Sequence, residues 1–503
     1  MTVAVICVYM LGVLAIGTLS HRLYKGTGED FFVATRSIGS FVLLMTLFGT
    51  HMTSFTLLGA SAEAYLEGIG VFGLLASSSA LIAPAIFFFV GTRVWALGKR
   101  HGYLTPIQFF RDRWESDGLG LMLFVALVGF LIPYLLIGVM GGGIALNQIT
   151  EGQVPEWAGA LAICATVSIY VIYGGMRGTA WANTFQTMVF MSLALLAFFW
   201  ITFQIGGLEA GLDRVRQANP SLLIRGENIP QLKMLSYLLI PVAAGMFPHL
   251  FIHWLTARKA ATFRISIIFY PLCMATVWTA SVLIGVFGAA DFPGLEGPQA
   301  NSILARMIRL HSSEFLSGLL GAGVVAAIMS SLDSQVLSLS TLFTQDIVRH
   351  YGFHDRMSEK GQILSARLFI VGILTVTYLL SLWSDRSIFS LGIWCFTGFA
   401  SLFPILAAAL FWKSSTKQGV MASVGTVALL WSYYFYQGWQ QPGYTVGGTG
   451  LMPVAVIFAA SVLALVLVSL VTSPPREEVL AKFFAGKEER VSRKDRQDAK
   501  ALN

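Results

Sequence analysis

Charge is scarce in this chain: Asp, Glu, Lys and Arg make up only 12% of its residues. A soluble protein of ordinary composition carries about a quarter, so a core-rich soluble enzyme is excluded. Cysteine is scarcer still. The four, Cys7, Cys164, Cys273 and Cys395, all fall inside apolar runs, which gives neither a disulfide framework nor a metal-ligand spacing. No P-loop, clustered metal ligands or nucleophile–base–acid triad occurs, so the sequence does not read as an enzyme. The N-terminal segment MTVAVICVYMLGVLAIGTLSHR lacks a basic leader and a small-residue cleavage site, and is expected to be a retained helix. What is abundant is apolar: 55% of residues are hydrophobic, with 50 Gly and 12 Trp. Small residues pack helices in bilayers and Trp marks their interfaces.

Thirteen apolar runs of near-spanning length follow one another. They lie near 2–22, 40–61, 70–97, 119–149, 157–174, 184–205, 235–255, 266–290, 316–343, 363–384, 388–412, 419–437 and 452–473. An odd number puts the termini on opposite sides. With the N-terminus outside, 26 of the 33 Lys and Arg fall on the inner side, among them Arg22, Lys25, Arg93, Lys99, Arg100, Arg258 and Arg356. Positive charge favours the cytoplasm, so the C-terminus is expected inside. This distribution also accounts for the net charge of +7 without nucleic acid. The tail KEERVSRKDRQDAK mixes both signs and reads as a solvated helix or disordered end too short for a signalling domain.

Two runs are interrupted by polar and helix-breaking residues. Residues 48–59 read FGTHMTSFTLLG and residues 245–253 read GMFPHLFIH. Irregular backbone survives in a bilayer only against protein or a wet cavity. Paired breaks in corresponding positions of two halves point to the binding site of an inverted-repeat carrier. His51 and His249 stand 198 residues apart, which fits two five-helix halves, about 40–205 and 235–412. A third run, AAIMSSLDSQVLSLST at 326–341, carries five serines, a threonine and an aspartate. Ser330, Ser331 and Ser334 share one helix face. Hydroxyls and freed carbonyls suit sodium, a hard cation, and polar groups at this depth are costly unless they face a site.

The stretches FFVATRSIG…FGTHMTSFTLLG, YGGMRGTAWANTFQ and AAIMSSLDSQVLSLSTLFTQDI, in this order, resemble the sodium:solute symporter family, which includes proline, pantothenate, monocarboxylate and sugar symporters. The resemblance covers about residues 5–440 and the count of thirteen spans. It implies an all-α membrane protein of LeuT-like fold, with 13 transmembrane helices and an inverted repeat of five plus five helices containing two discontinuous ones. The implied parts are an N-terminal extra helix and loop (1–30), a first repeat (31–205), an extracytoplasmic loop (206–234), a second repeat (235–412), two C-terminal helices (413–473) and a cytoplasmic tail (474–503). It further implies a multi-pass protein of the bacterial inner (plasma) membrane, monomeric or weakly homo-oligomeric, surrounded by lipid and carrying a small-molecule solute. The family's sodium ligands, carried over, fall on Gly49, Met52, Ala327, Ser330 and Ser331.

Two positions depart from the family pattern. Members with a second sodium use a carboxylate where this chain has Asn183, so one sodium ion per cycle is expected. One ion suffices: a tenfold gradient supplies roughly 1.4 kcal/mol and a potential of about 150 mV about 3.5 kcal/mol more. The proline branch has an aspartate where this chain has His51. Two roles stay open for His51, proton sensing or a hydrogen bond to opened backbone. Asp333, a lone carboxylate in the serine helix, reads as a hydrogen-bonded gate or cap. Arg36 matches a family arginine and reads as a cytoplasmic gate or anchor.

For the solute, Thr56 and Leu75 stand where sugar-transporting relatives use polar side chains such as Gln and Glu, which argues against a sugar. The Pro248–His249 pair resembles the proline and pantothenate branches, Phe55 and Tyr134 match positions of the proline branch, and Gly138 and Gly142 keep register, whereas a tryptophan of the proline branch is Ile240 here. Half-helix N-termini attract anions. The expected solute is therefore a small carboxylate, such as a monocarboxylate, amino acid or pantothenate-like compound, contacted by Phe55, Thr56, Tyr134, Phe247 and His249. A proton-coupled or uncoupled carrier on the same fold, or a symporter of sugars or other polyols, is the alternative.

Overall fold

The computed structural model describes residues 1–19, 28–225, 228–352 and 358–484. Arg22, Lys25, Arg356 and all of the tail stretch read as solvated lie outside them. Among the described residues all regular elements are helices, and the nearest approach to a sheet is one bridge between Ile38 and Ala257.

The long helices are α1 (Thr2–Leu19), the bent pair α2 (Ser40–His51) and α3 (Phe55–Glu67), α4 (Gly70–His101), the short α5 (Pro106–Trp114), α6 (Asp117–Ile149) and α7 (Glu156–Ile205). A second bent pair follows, α8 (Gln231–Gly245) and α9 (Pro248–Thr256), then α10 (Ala260–Asp291), α11 (Glu314–Gly352), α12 (Glu359–Ser381) and α13 (Ile388–Phe411). The chain closes with α14 (Lys417–Gln440), α15 (Pro453–Leu470) and the short α16 (Glu477–Phe484). Many starts are set locally by hydroxyl caps: Ser116, Ser313, Ser358, Ser387 and Thr416 each accept an amide of the following first turn.

Nine helices of the described residues are long and apolar enough to cross a membrane, or eleven if each bent pair is one span. The expected runs 157–174 and 184–205 join in the 50-residue α7. Gly175 breaks it with φ +52°, and a Cβ there would stand 2.7 Å from the Phe31 ring. The helix resumes at once after Gly175, and Arg177 ties the break to Asp30 at 2.6 Å. The expected run 419–437 forms α14, but its Gln, Tyr and Trp content keeps it out of the apolar set.

Burial separates a centre from a rim. The most apolar stretches of α11 and α13 are 83% buried, whereas those of α1 and α7 are 22% and 17% buried. Helix α11 packs on α7, α6 and α1, and α13 packs on α8, α6 and α15. The serine run thus occupies the middle of the molecule and the lipid-like residues its periphery.

Candidate functional site

The first break begins where α2 ends. Met52 leaves helical geometry (φ −85°, ψ 111°) and α3 starts with a widened turn over Phe55–Gly59, its axis 58° from that of α2. The last carbonyls of any helix lack intrahelical donors. Here the Gly49 carbonyl accepts a hydrogen bond from the Ser330 hydroxyl of α11 at 3.0 Å. Glycine at 49 leaves room for Thr187: a Cβ would lie 2.1 Å from its Oγ1 and push that hydroxyl off the Met45 carbonyl to which it donates. Ser54 in the break donates to the Ile137 carbonyl at 2.6 Å, and Gly141 allows that approach.

Ser330 also lies 3.0 Å from the Ala327 carbonyl. Three of the five expected sodium ligands, Gly49, Ala327 and Ser330, therefore meet in one buried knot of neutral oxygens. A cation entering it would become the carbonyls' partner in place of the hydroxyl proton, while Ser330 turned a lone pair inward. Ser331 donates to its own helix at Ile328 O, 3.0 Å away, which leaves its lone pairs free. Met52 is fully buried beside the knot in sequence and sends its amide to Phe48 O at 3.0 Å. Ser338, Ser340 and Thr341 bond carbonyls of their own helix, the ordinary behaviour of hydroxyls in apolar helices. No group of three or more His, Cys, Asp or Glu suited to a transition metal occurs among the described residues.

One turn along α11 lies a second polar cluster. Tyr170 donates to Asp333 Oδ2 at 2.7 Å and Ser334 donates to Oδ1 at 3.1 Å. Asn183 Nδ2 donates to Ser334 at 2.8 Å, and His253 Nε2 sits 3.2 Å from the same oxygen. Asn183, which departs from the family pattern, and Asp333, the lone carboxylate of the serine run, are thus joined through one serine. Asp333 is fully buried and makes no ion pair among the described residues. The Asn183 carbonyl oxygen is buried without a hydrogen-bond partner. Sequence reasoning missed Tyr170 and His253. His253 was within reach, since it follows His249 by one helical turn.

Between the two breaks lies a cavity of ≈ 20 Å³. Phe55, Thr56 and Phe247, three of the five residues expected to contact the solute, line it with His51, together with Ser79, Trp278 and Phe396, which look like ordinary span residues in the sequence. Tyr134 and His249 stand one ring behind: Tyr134 packs on Phe247 and Phe396 (5.6 and 5.2 Å between centroids) and His249 stacks on Phe247 at 5.1 Å. Both His249 ring nitrogens are buried without a partner. His51 Nδ1 is hydrogen-bonded to the Tyr270 hydroxyl. Phe396 touches Phe55, Tyr134 and Phe247 and so closes the cavity. Leu75 is buried outside its lining.

Arg36 lies beyond one end of the breaks. It donates to the Tyr103 carbonyl at 2.8 Å and to the Leu255 carbonyl at 3.3 Å. Next to it, the Ile38 amide bonds Thr256 O and the Arg258 amide bonds Ile38 O. The start of α2 is thereby fastened to the end of α9.

Residues 31–426 match the family model described as the sodium:solute symporter family. The Sodium/proline symporter of Escherichia coli (strain K12) is 25% identical over 474 residues, 89% of this chain and 91% of the relative. The Sodium/pantothenate symporter of the same strain is 23% identical over 433 residues, 83% and 86% of the two chains. Among solved structures, a Na+-coupled sialic acid symporter in a substrate-bound outward-open state superposes with TM-score 0.79 at 16% identity, covering 94% of this chain and 98% of that one. A nucleobase-cation-symport-1 family transporter in a closed conformation gives 0.58 at 13% identity over 90% and 97%. The structural likenesses establish the fold.

Proposed function

The chain belongs to the sodium:solute symporter family, and from that premise we propose that it imports a small carboxylated solute together with one sodium ion by alternating access. The observation that carries this reading is the contact of the Ser330 hydroxyl with the Gly49 and Ala327 carbonyls. It joins a broken helix to the central serine helix through neutral oxygens alone. Sodium would be held by Gly49, Met52, Ala327, Ser330 and Ser331. Occupying that knot pulls α2 toward α11, which is how an ion next to the solute cavity favours one arrangement of the gates.

The solute would sit between Phe55, Thr56 and Phe247, with Tyr134 and His249 supporting the wall. The first turn of α9 leaves amide N–H groups free by construction, and its positive dipole end suits a carboxylate. The unpartnered His249 imidazole stands beside that turn. Monocarboxylates, amino acids and pantothenate-like compounds fit this pattern. A cavity of ≈ 20 Å³ holds about a water molecule, so loading requires Phe396 to move. Arg36 and the Ile38–Ala257 bridge act as the closed cytoplasmic gate. Asp333 and Asn183 fix the tilt of α11 against α7.

In this reading the chain crosses the inner (plasma) membrane thirteen times, with α7 counted as two spans about Gly175, each bent pair as one, and α14 as a further span. The N-terminus is outside, and the two five-helix repeats run over 31–205 and 235–412. A proton-coupled or uncoupled carrier on the same fold is the second reading, favoured by the buried carboxyl of Asp333, which has no cationic partner among the described residues.

The test is uptake into proteoliposomes holding the purified full chain, with labelled proline, pantothenate, a short monocarboxylate and glucose. Sodium-driven uptake of one of the carboxylates is expected. Uptake driven by an imposed pH gradient in sodium-free buffer would move the assignment to the second reading, and glucose uptake that no carboxylate competes with would overturn the solute class.

A further inference from the structure

Helix α4 carries an exposed stripe that changes chemistry along its length. Leu81, Ala85, Phe88 and Phe89 face outward, with Leu81 75% and Phe89 57% exposed. Continuing on the same face at helical spacing come Arg93, Ala96 and Arg100, with Lys99 beside them, all exposed. The switch from apolar to basic occurs within one turn. From Arg93 to Arg100 the helix rises about 10 Å, on the order of the headgroup layer of one leaflet.

The basic part opens onto a groove of ≈ 610 Å³ whose other wall is Leu410 of α13 and Phe483 and Phe484 of α16. Helix α16 is held there from behind. Phe483 stacks on His101, Arg113 lies 5.2 Å from the Phe484 ring centre, and Lys482 pairs with Asp112. Asp112 also accepts from Tyr103. Arg93 lies over the Phe411 ring at 4.3 Å and Lys99 near the Trp95 ring at 5.3 Å. Neither they nor Arg100 pairs with a carboxylate among the described residues.

We propose that this groove is a binding site for an anionic phospholipid, with acyl chains along Leu81–Phe89 and the phosphate held by Arg93, Lys99 and Arg100. Three cations with no carboxylate partner among the described residues supply the charge complement, since basic pockets between spans at a membrane surface select acidic headgroups. The adjoining outward face of Leu81, Phe88 and Phe89 supplies the apolar half, which a soluble anion would not use. Helix α16 forms one wall, so an occupied groove fastens the C-terminal segment to α4. The proposal is independent of which solute the carrier moves.

The experiment is native mass spectrometry and thermal unfolding of the purified full chain with phosphatidylglycerol, with phosphatidylcholine of the same acyl chains, and with inorganic phosphate. Retention of at least one phosphatidylglycerol and a rise in Tm are expected, with neither caused by phosphatidylcholine. The triple variant R93A/K99A/R100A should weaken phosphatidylglycerol binding at least tenfold, and the single charge reversal Arg100→Glu at least severalfold. Both variants should keep the sodium-dependent shift in Tm. Equal retention of the two lipids, or of phosphatidylglycerol by wild type and variants, overturns the proposal. Inorganic phosphate that stabilises as well as phosphatidylglycerol assigns the groove to a soluble anion and also overturns it.

Discussion

Replacing Ser330 by alanine removes one oxygen and nothing else from the buried knot. Two effects follow, and they separate. The Gly49 carbonyl loses its donor, bonded at 3.0 Å, which costs stability by about 1–3 kcal/mol whether or not sodium is present. If the knot binds sodium, a charge-assisted ligand worth about 1.5–3 kcal/mol is also lost. That corresponds to a sodium affinity weakened about 10- to 150-fold. Ion binding stabilises by mass action. At sodium one hundredfold above the wild-type Kd the gain is about 2.7 kcal/mol, and a tenfold weaker variant keeps about 1.4. The assay is thermal unfolding with sodium replaced stepwise by choline at constant ionic strength, beside sodium activation of uptake. The sodium-dependent part of the Tm shift should fall by about half or more and half-activation should move upward at least tenfold, while Ser330→Thr restores both. A lowered Tm with an unchanged sodium response would show that Ser330 only pins α11 to α2, and the sodium assignment would fail.

Three other perturbations read different parts of the molecule. In Gly285→Ala the new Cβ would stand 2.2 Å from the Ser61 carbonyl oxygen, a backbone atom that cannot rotate away. A loss of about 1–3 kcal/mol is expected, and an unaltered Tm would refute the tight packing of α3 on α10. Phe396→Ala should raise KM for the solute at least tenfold and admit bulkier carboxylates in competition assays; an unchanged KM and rank order would remove Phe396 from the closing set. Asp333→Asn leaves one acceptor oxygen where Tyr170 and Ser334 now donate to two, so one of those hydroxyls must turn to accept from the new amide; the ratio of sodium to solute, measured by reversal potential, should stay at one. A drop from two to one would show instead that the carboxylate holds a second cation.

How much could be read in advance depended on whether the cause was local. The two breaks announced themselves because Gly, Thr, Ser and Pro act on the backbone where they stand. The helix bends at residues 52–54 and 246–247 lie inside the two segments singled out. The serine run was likewise visible, since hydroxyls crowded into an apolar span are costly unless used. Which hydroxyls reach outward was not visible. Ser330 and Ser334 meet other elements and Ser331 does not, a difference set by helix rotation. Ser79, Trp278 and Phe396 carry no signal of their own, because an aromatic or serine lining a cavity reads like one that packs. Arg36 could be suspected but its acceptors could not, since they are main-chain carbonyls that every residue possesses. The continuity of α7 across Gly175 was hidden for a similar reason: one glycine at φ +52° turns the chain without the long polar loop that usually separates two spans.

The bridge between Ile38 and Ala257 has a use beyond the closure proposed for it. Its two bonded amides, Ile38 to Thr256 O at 3.1 Å and Arg258 to Ile38 O at 3.0 Å, belong to no helix and are held only while α2 and α9 stay together. They should take up deuterium at the rate at which that end of the molecule opens, against a slow background from the buried helices around them. Labelling at these two positions would then clock the proposed gate directly, with no fluorophore attached and no solute added.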